Sequence, residues 1–204
     1  MARYRGPRLR IVRRLGVLPG LTQKTTSRPL PGEHAKSQNK VKLSQYGLRL
    51  QEKQKLRYHF GLTERQLMNY VKKARLMKGP TGELLLGLLE MRLDNILFRL
   101  GFVPTINAAK QFISHGHILV NDKKVDIPSY LCQPKDIISI KQKKESRQSV
   151  ADFISKNSNP VPVPSHLSLN KDYLIATIND KIQSENYALN VNELLIVEYY
   201  SRKI

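Results

Sequence analysis

The first 60 residues carry 15 Lys and Arg against 2 Asp and Glu, and that imbalance limits what the chain can become. A segment of net charge +13 repels itself and closes around a core only if something neutralises it. The remainder is better balanced: +3 over residues 61–100, +4 over 101–150 and −1 over 151–204, for a total of +19. The demand is for a polyanionic partner. A membrane surface would ask for an amphipathic helix with a strong apolar face. Residues 3–14 instead hold Gly6-Pro7 and a short apolar patch of Leu9, Ile11 and Val12. Nucleic acid fits better. Arg3, Arg5, Arg8, Arg10, Arg13 and Arg14 are therefore expected to follow phosphates as a basic extended N-terminal arm. Residues 15–43 contain Gly16, Pro19, Gly20, Pro29, Pro31 and Gly32 among polar residues, and read as irregular chain that a partner orders.

Past the arm the hydrophobic spacing is helical. Ser44 is an N-cap signal for a helix of about 45–60, on which Arg49, Lys53 and Arg57 fall at i, i+4 and i+8. Stacked like charges destabilise an isolated helix, so this stripe, with Lys55 beside it, is expected to face anions. Thr63 and Gln66 make a capping box before Leu67, Tyr70, Val71 and Ala74, leaving Lys72 and Lys73 on the wet side. Thr81 is expected to start one longer helix running to Leu100, with Arg92, Asn95 and Arg99 sharing the face opposite its leucine stripe. A short helix follows from Pro104-Thr105 to Gly116. The period then changes from about 3.6 to 2. Residues 117–120 read as a strand, Asn121-Asp122 as a turn, and Lys123-Lys124-Val125 as the return strand. Further strands are expected at 137–140, 173–178 and 194–200, and a helix up to about 156. The three prolines of 157–165 mark an extended connector.

Catalytic signatures are missing. The sequence holds no Gly-rich phosphate loop, H-E-x-x-H pair or nucleophile elbow. Its one cysteine, Cys132, excludes a disulfide framework and a Cys-rich zinc site, and reads as a buried inert thiol. His115 and His117 are expected on different surfaces, one ending a helix and one opening a strand, so no metal site is expected there. Glu83, Glu90 and Asp94 read as helix-start and ion-pair groups. No apolar run reaches membrane-spanning length. What remains is an edge on which Lys110, Gln111, His115, His117 and Asn121 can be presented together. Such an edge offers cations to phosphates and amides or imidazoles to 2′-hydroxyls and base edges. No aromatic platform accompanies it, so shape and backbone readout is expected over base stacking.

Two stretches carry a resemblance. R-L-D-N-x-x-x-R-L-G at 92–101 and A-x-Q-x-x-x-H-G-H-I-x-V-N at 109–121 resemble the S-four RNA-binding module, also called the alpha-L motif. The opening M-A-R-Y-R-G-P-R-L-R is similar to the family of the fourth protein of the small ribosomal subunit. So are residues 44–57, 61–66, 81–95 and 192–202. The resemblance is strongest to plastid-encoded members and weakest over 157–190. It implies an α+β fold in which a helical N-terminal domain receives the S-four module as an insert. The implied division is an arm at 1–43, a helical domain at 44–90 completed by about 190–204, the module and a following helix at 91–156, and a connector and strand segment at 157–189. It implies a monomer within the subunit, without enzymatic activity, that binds small-subunit ribosomal RNA, nucleates assembly of the subunit body and contributes to translational accuracy. Its neighbours would include the fifth subunit protein, with the twelfth a further candidate, and messenger RNA near the path by which it enters. The location implied is the plastid stroma. RNA-modifying enzymes and ribosome-associated stress factors that use the same module stay open as alternatives. Two departures stand out. Residues 1–43 hold no cysteine, so the zinc site of many members, and any cofactor, is not expected. Ile106 and Lys110 stand where the module usually has Arg, and Lys supplies a point charge without a bidentate fork.

Overall fold

The computed structural model describes residues 4–26, 43–156, 163–170, 174–180, 182, 187 and 189–201. Arg3 and the greater part of 27–43 lie outside them, as do residues 157–162 of the connector. Eight helices and five strands are described, in the order α1 (Arg8–Leu15), α2 (Gln45–His59), α3 (Glu64–Leu76), α4 (Thr81–Glu90), α5 (Leu93–Arg99), α6 (Ile106–Ser114), β1 (Ile118–Val120), β2 (Lys123–Lys124), β3 (Ile137–Ile140), α7 (Lys144–Lys156), β4 (Leu167–Asn170), β5 (Ile175–Ile178) and α8 (Glu193–Ser201). The class is α+β. The chain forms two compact units, one built from Met1–Leu85 with Leu189–Ile204 and the other from Leu86–Ala188.

The first unit is helical. Ser44 caps α2 by accepting from the Gly47 N–H at 3.1 Å, and Thr63 and Gln66 close the expected capping box on α3. Leu56, Phe60, Leu67, Val71 and Ala74 are buried on these two helices. Two expectations fail here. Residues 8–15 are not extended: they form α1, because Ile11, Val12 and Leu15 bury one side of a single helical turn-and-a-half. Ile11 and Leu15 join Leu18, Leu21 and Leu189 in a cluster against Tyr58 and Val191. Residues 194–200 are not a strand. Asn192 Oδ1 accepts from the N–H groups of Leu194 and Leu195, and Ile196, Tyr199 and Tyr200 are buried at i, i+3 and i+4 on α8. That helix packs mainly on α2.

The second unit centres on an antiparallel sheet of order β2-β1-β3-β5-β4. Ile118, Val120, Ile138, Ile140, Ala176 and Ile178 alternate to one face and are buried, as period-2 spacing requires. β4 has no counterpart among the expected strands. Asn121 and Asp122 both have positive φ (49° and 62°), which suits the tight two-residue turn between β1 and β2. The long helix expected from Thr81 to Leu100 is two helices. Between them the Met91 carbonyl accepts from the Cys132 N–H at 3.0 Å, and the Leu93 N–H donates to the Tyr130 carbonyl at 2.9 Å. This strand-like bridge between Arg92 and Leu131 breaks the helical ladder.

Candidate RNA interface

The structure sorts the expected cations into three environments. Those of α1 and the residues before it face solvent: Arg5, Arg8, Arg10 and Arg14 are exposed and Arg13 is half-buried. Arg8 donates to the Leu21 carbonyl, which ties the helix to the loop behind it. Lys72 and Lys73 are exposed on α3, as their position opposite Leu67 and Val71 dictates.

The α2 stripe points the other way, and its expected exposure to anions is overturned. Lys53 is 4% exposed and pairs with Glu64 at 2.6 Å. Arg49 pairs with Glu198 of α8, and Lys55 with Glu52 at 2.5 Å. Lys53 also lies 5.1 Å from the centre of the Tyr199 ring, and the Tyr200 hydroxyl donates to Glu64 at 2.9 Å. Burial pushes the Glu64 carboxyl up, but Lys53, the Tyr200 hydroxyl and Arg57 outweigh it and hold the group below its ordinary range. The anions this stripe meets are the protein's own, carried on α3 and α8.

A similar inversion holds in the second unit. Arg92, Asn95 and Arg99 do not line a wet face. Arg92 is 3% exposed and grips Asp94 with two hydrogen bonds, of 3.0 and 2.6 Å. Asn95 donates to the Glu90 carbonyl at 3.1 Å and to its carboxylate at 2.5 Å, and Arg99 lies 4.0 Å from the same carboxylate. Lys110 is drawn to 3.7 Å from Asp94. Burial lowers its ammonium pKa, Asp94 opposes that and Arg92 adds to it, with a net downward shift. Buried charges persist only when paired and hydrogen-bonded, so this quartet of motif residues organises the module from inside.

The surface that remains is the edge formed by the end of α6 and the β1–β2 hairpin. Thr105 caps α6 by accepting from the Ala108 N–H at 3.2 Å, which fixes where the helix begins. Gln111, His115, Lys123 and Lys124 are exposed there. Gly116 terminates the helix at φ 73°, and a Cβ in its place would collide with Lys124 Cε. The Lys124 side chain therefore crosses directly over the His-Gly-His turn. His115 and His117 are together, with ring centres 5.9 Å apart, contrary to their expected separation, because Gly116 folds the backbone back on itself. His117 stacks on Phe112 at 4.7 Å, and its Nδ1 is 2.9 Å from Ser146 Oγ. Burial, His115, Lys143 and Lys141 lower its pKa against an opposing pull from Glu145. Asn121 is used within the fold: its amide donates to Asp136 at 2.8 Å and accepts from the Ile137 N–H at 2.9 Å. The structure sets Lys141 and Lys143 beside His117, and the only hint of it in the sequence is the density of lysines. Cys132 is buried, with burial and then Asp136 and Asp94 raising its thiol pKa. Among the described residues, no three His, Cys, Asp or Glu could hold a metal, and no helix is long and apolar enough to cross a membrane.

Residues 3–90 match the family model described as ribosomal protein S4/S9 N-terminal domain, and residues 91–138 match the S4 domain. The chain belongs to the ribosomal protein S4 family. The S4 segment contains the hairpin edge and the buried Arg92–Asp94 pair. Full-length relatives agree. The chain is similar to small ribosomal subunit protein uS4c of Oltmannsiellopsis viridis, at 61% identity over 99% of this chain and 100% of the relative. It is 54% identical to uS4c of Mesostigma viride over 100% of both chains. Similarity to uS4 of the bacterium Thermosynechococcus vestitus is 55% over 100% of both chains.

Proposed function

We propose that this S4-family chain is a structural constituent of the small ribosomal subunit that binds its ribosomal RNA. Relatives matched along their whole length bear that description, and the observation that supports RNA as the ligand is the hairpin edge. There Lys123 and Lys124 are exposed without ion pairs among the described residues, beside His115 and Gln111. The exposed arginines of α1 and Lys72-Lys73 of α3 supply further phosphate contacts. Lys110 acts at the rim of its buried cluster. In this reading Arg49, Lys53, Lys55, Arg57, Arg92, Asn95 and Arg99 serve RNA binding through the fold, and Asn121 through the shape of the turn.

The chain acts as a monomer in the subunit without catalysing a reaction. It nucleates assembly of the subunit body, touches the fifth protein and the incoming messenger RNA, and contributes to accuracy. Its place is the ribosome of the plastid stroma, in keeping with the uS4c relatives. Neutralising about ten phosphates gives a log–log salt slope near −7 to −9 for binding small-subunit RNA. Filter binding from low to high salt measures it, and a nearly flat dependence rejects the reading.

A further inference from the structure

We infer that the loop between β3 and α7 is a second phosphodiester-binding element, joined to the hairpin edge as one continuous cationic ledge through Lys141, Lys143 and Lys144. The inference rests on the RNA-binding reading above and extends it to residues beyond both matched family segments, which end at 138.

Three observations place the loop. The Lys141 N–H donates to the His117 carbonyl at 2.9 Å, so the loop starts by extending the pairing of β3 with β1 to the edge of the His-Gly-His turn. Ser146 Oγ lies 2.9 Å from His117 Nδ1, and Ser146 is 1% exposed, so the loop is pinned at its far end as well. Between these anchors the Lys143 N–H donates to the Lys141 carbonyl at 2.7 Å, a tight bend that turns the lysine side chains outward. Lys143 and Lys144 are exposed and Lys141 is half-buried. None of the three forms an ion pair among the described residues. Glu145 is exposed in the same turn and lowers the local charge without cancelling it.

The chemistry of the ledge follows from its order. Lys124 crosses over Gly116, between His115 and His117 in the chain, and Lys141 and Lys143 lie close to His117. Cations in such a row, with no internal carboxylate for each, gain most from a run of evenly spaced anions. A ribose-phosphate backbone supplies that run, and the flanking imidazoles can meet its 2′-hydroxyls. His117 acts as a positioning residue: its ring is held by Phe112 and Ser146, and it fixes the loop against the hairpin.

Binding of the full chain to a transcript of small-subunit RNA tests this, with three variants whose secondary structure is checked by circular dichroism. If all three lysines reach phosphates, Lys141→Ala with Lys143→Ala and Lys144→Ala weakens binding about 100-fold at 0.15 M salt and reduces the salt slope by about 2. Ser146→Ala keeps every charge, so it weakens binding about 3- to 10-fold at unchanged slope. Lys123→Ala with Lys124→Ala reports on the hairpin alone. If that variant weakens binding while the triple lysine variant matches the parent in affinity and slope, the inference is overturned and the RNA-binding reading stands. If neither affects binding, both are overturned.

Discussion

His166 should make the second unit acid-sensitive well above the range in which carboxylates titrate. It is 5% exposed, and its Nδ1 has no hydrogen-bond partner among the described residues. Burial, and then the nearby Arg99 charge, push its pKa from 6.5 down to about 4. The folded state therefore holds the ring neutral while the unfolded chain takes up a proton below about pH 6.5. The stabilisation is complete above that value and is lost as pH falls toward the folded pKa. The difference corresponds to about 3 kcal/mol, of which about 2 kcal/mol is lost by pH 5. His166→Asn removes the titrating group. Urea unfolding followed by far-UV circular dichroism at about pH 7 and about pH 5 should show the parent losing about 2 kcal/mol more than the variant. A proton NMR titration should place the His166 midpoint well below 6.5. Equal losses in the two proteins, or a His166 midpoint near 6.5, would refute the reasoning.

Asp94→Asn leaves the Arg92 guanidinium buried without its carboxylate, and should cost about 3–5 kcal/mol, measured as a lower urea midpoint and faster proteolysis of the second unit. Tyr200→Phe removes one hydrogen bond to Glu64 and should cost about 1–2 kcal/mol in the same assay, with the loss fading at acid pH, once Glu64 is protonated. Gly116→Ala meets both a φ of 73° and the Lys124 side chain, so it should destabilise by about 1 kcal/mol or more and weaken RNA binding by displacing that lysine.

Much of this architecture is legible in the sequence wherever the signal is local. The Thr63–Gln66 box, the Thr105 cap, the change of period after Gly116 and the two-residue turn at Asn121 all involve residues within a few positions of one another. The failures have several physical causes, and for the α2 stripe it is a partner distant in sequence. Arg49 and Glu198 are 149 positions apart, so the stripe on α2 looks like a surface until α8 is laid against it. Arg92 to Arg99 look like a wet face because their partners Glu90 and Asp94 are visible nearby but the bridge to Leu131, which breaks the helix and buries them, is not. The run at 194–200 is short, apolar and β-branched, and such a run reads equally as strand or buried helix. Asn192 was the available clue, since an Asn just before an apolar run is an N-cap. In α1 the arginines masked three apolar side chains at helical spacing.

The insert interrupts the first unit, and this sets an order on synthesis. Everything that the second unit needs has been made by residue 188, whereas the first unit waits for Leu189 and α8, which the ribosome delivers last. Domains fold as their chains are completed, so the later-encoded body matures first and the earlier-encoded one remains unfinished. Through that interval Arg49 lacks Glu198, and Lys53, though it already has Glu64, lacks the Tyr199 ring, so a nascent polypeptide cut short before α8 would leave the Arg49 charge without its carboxylate permanently.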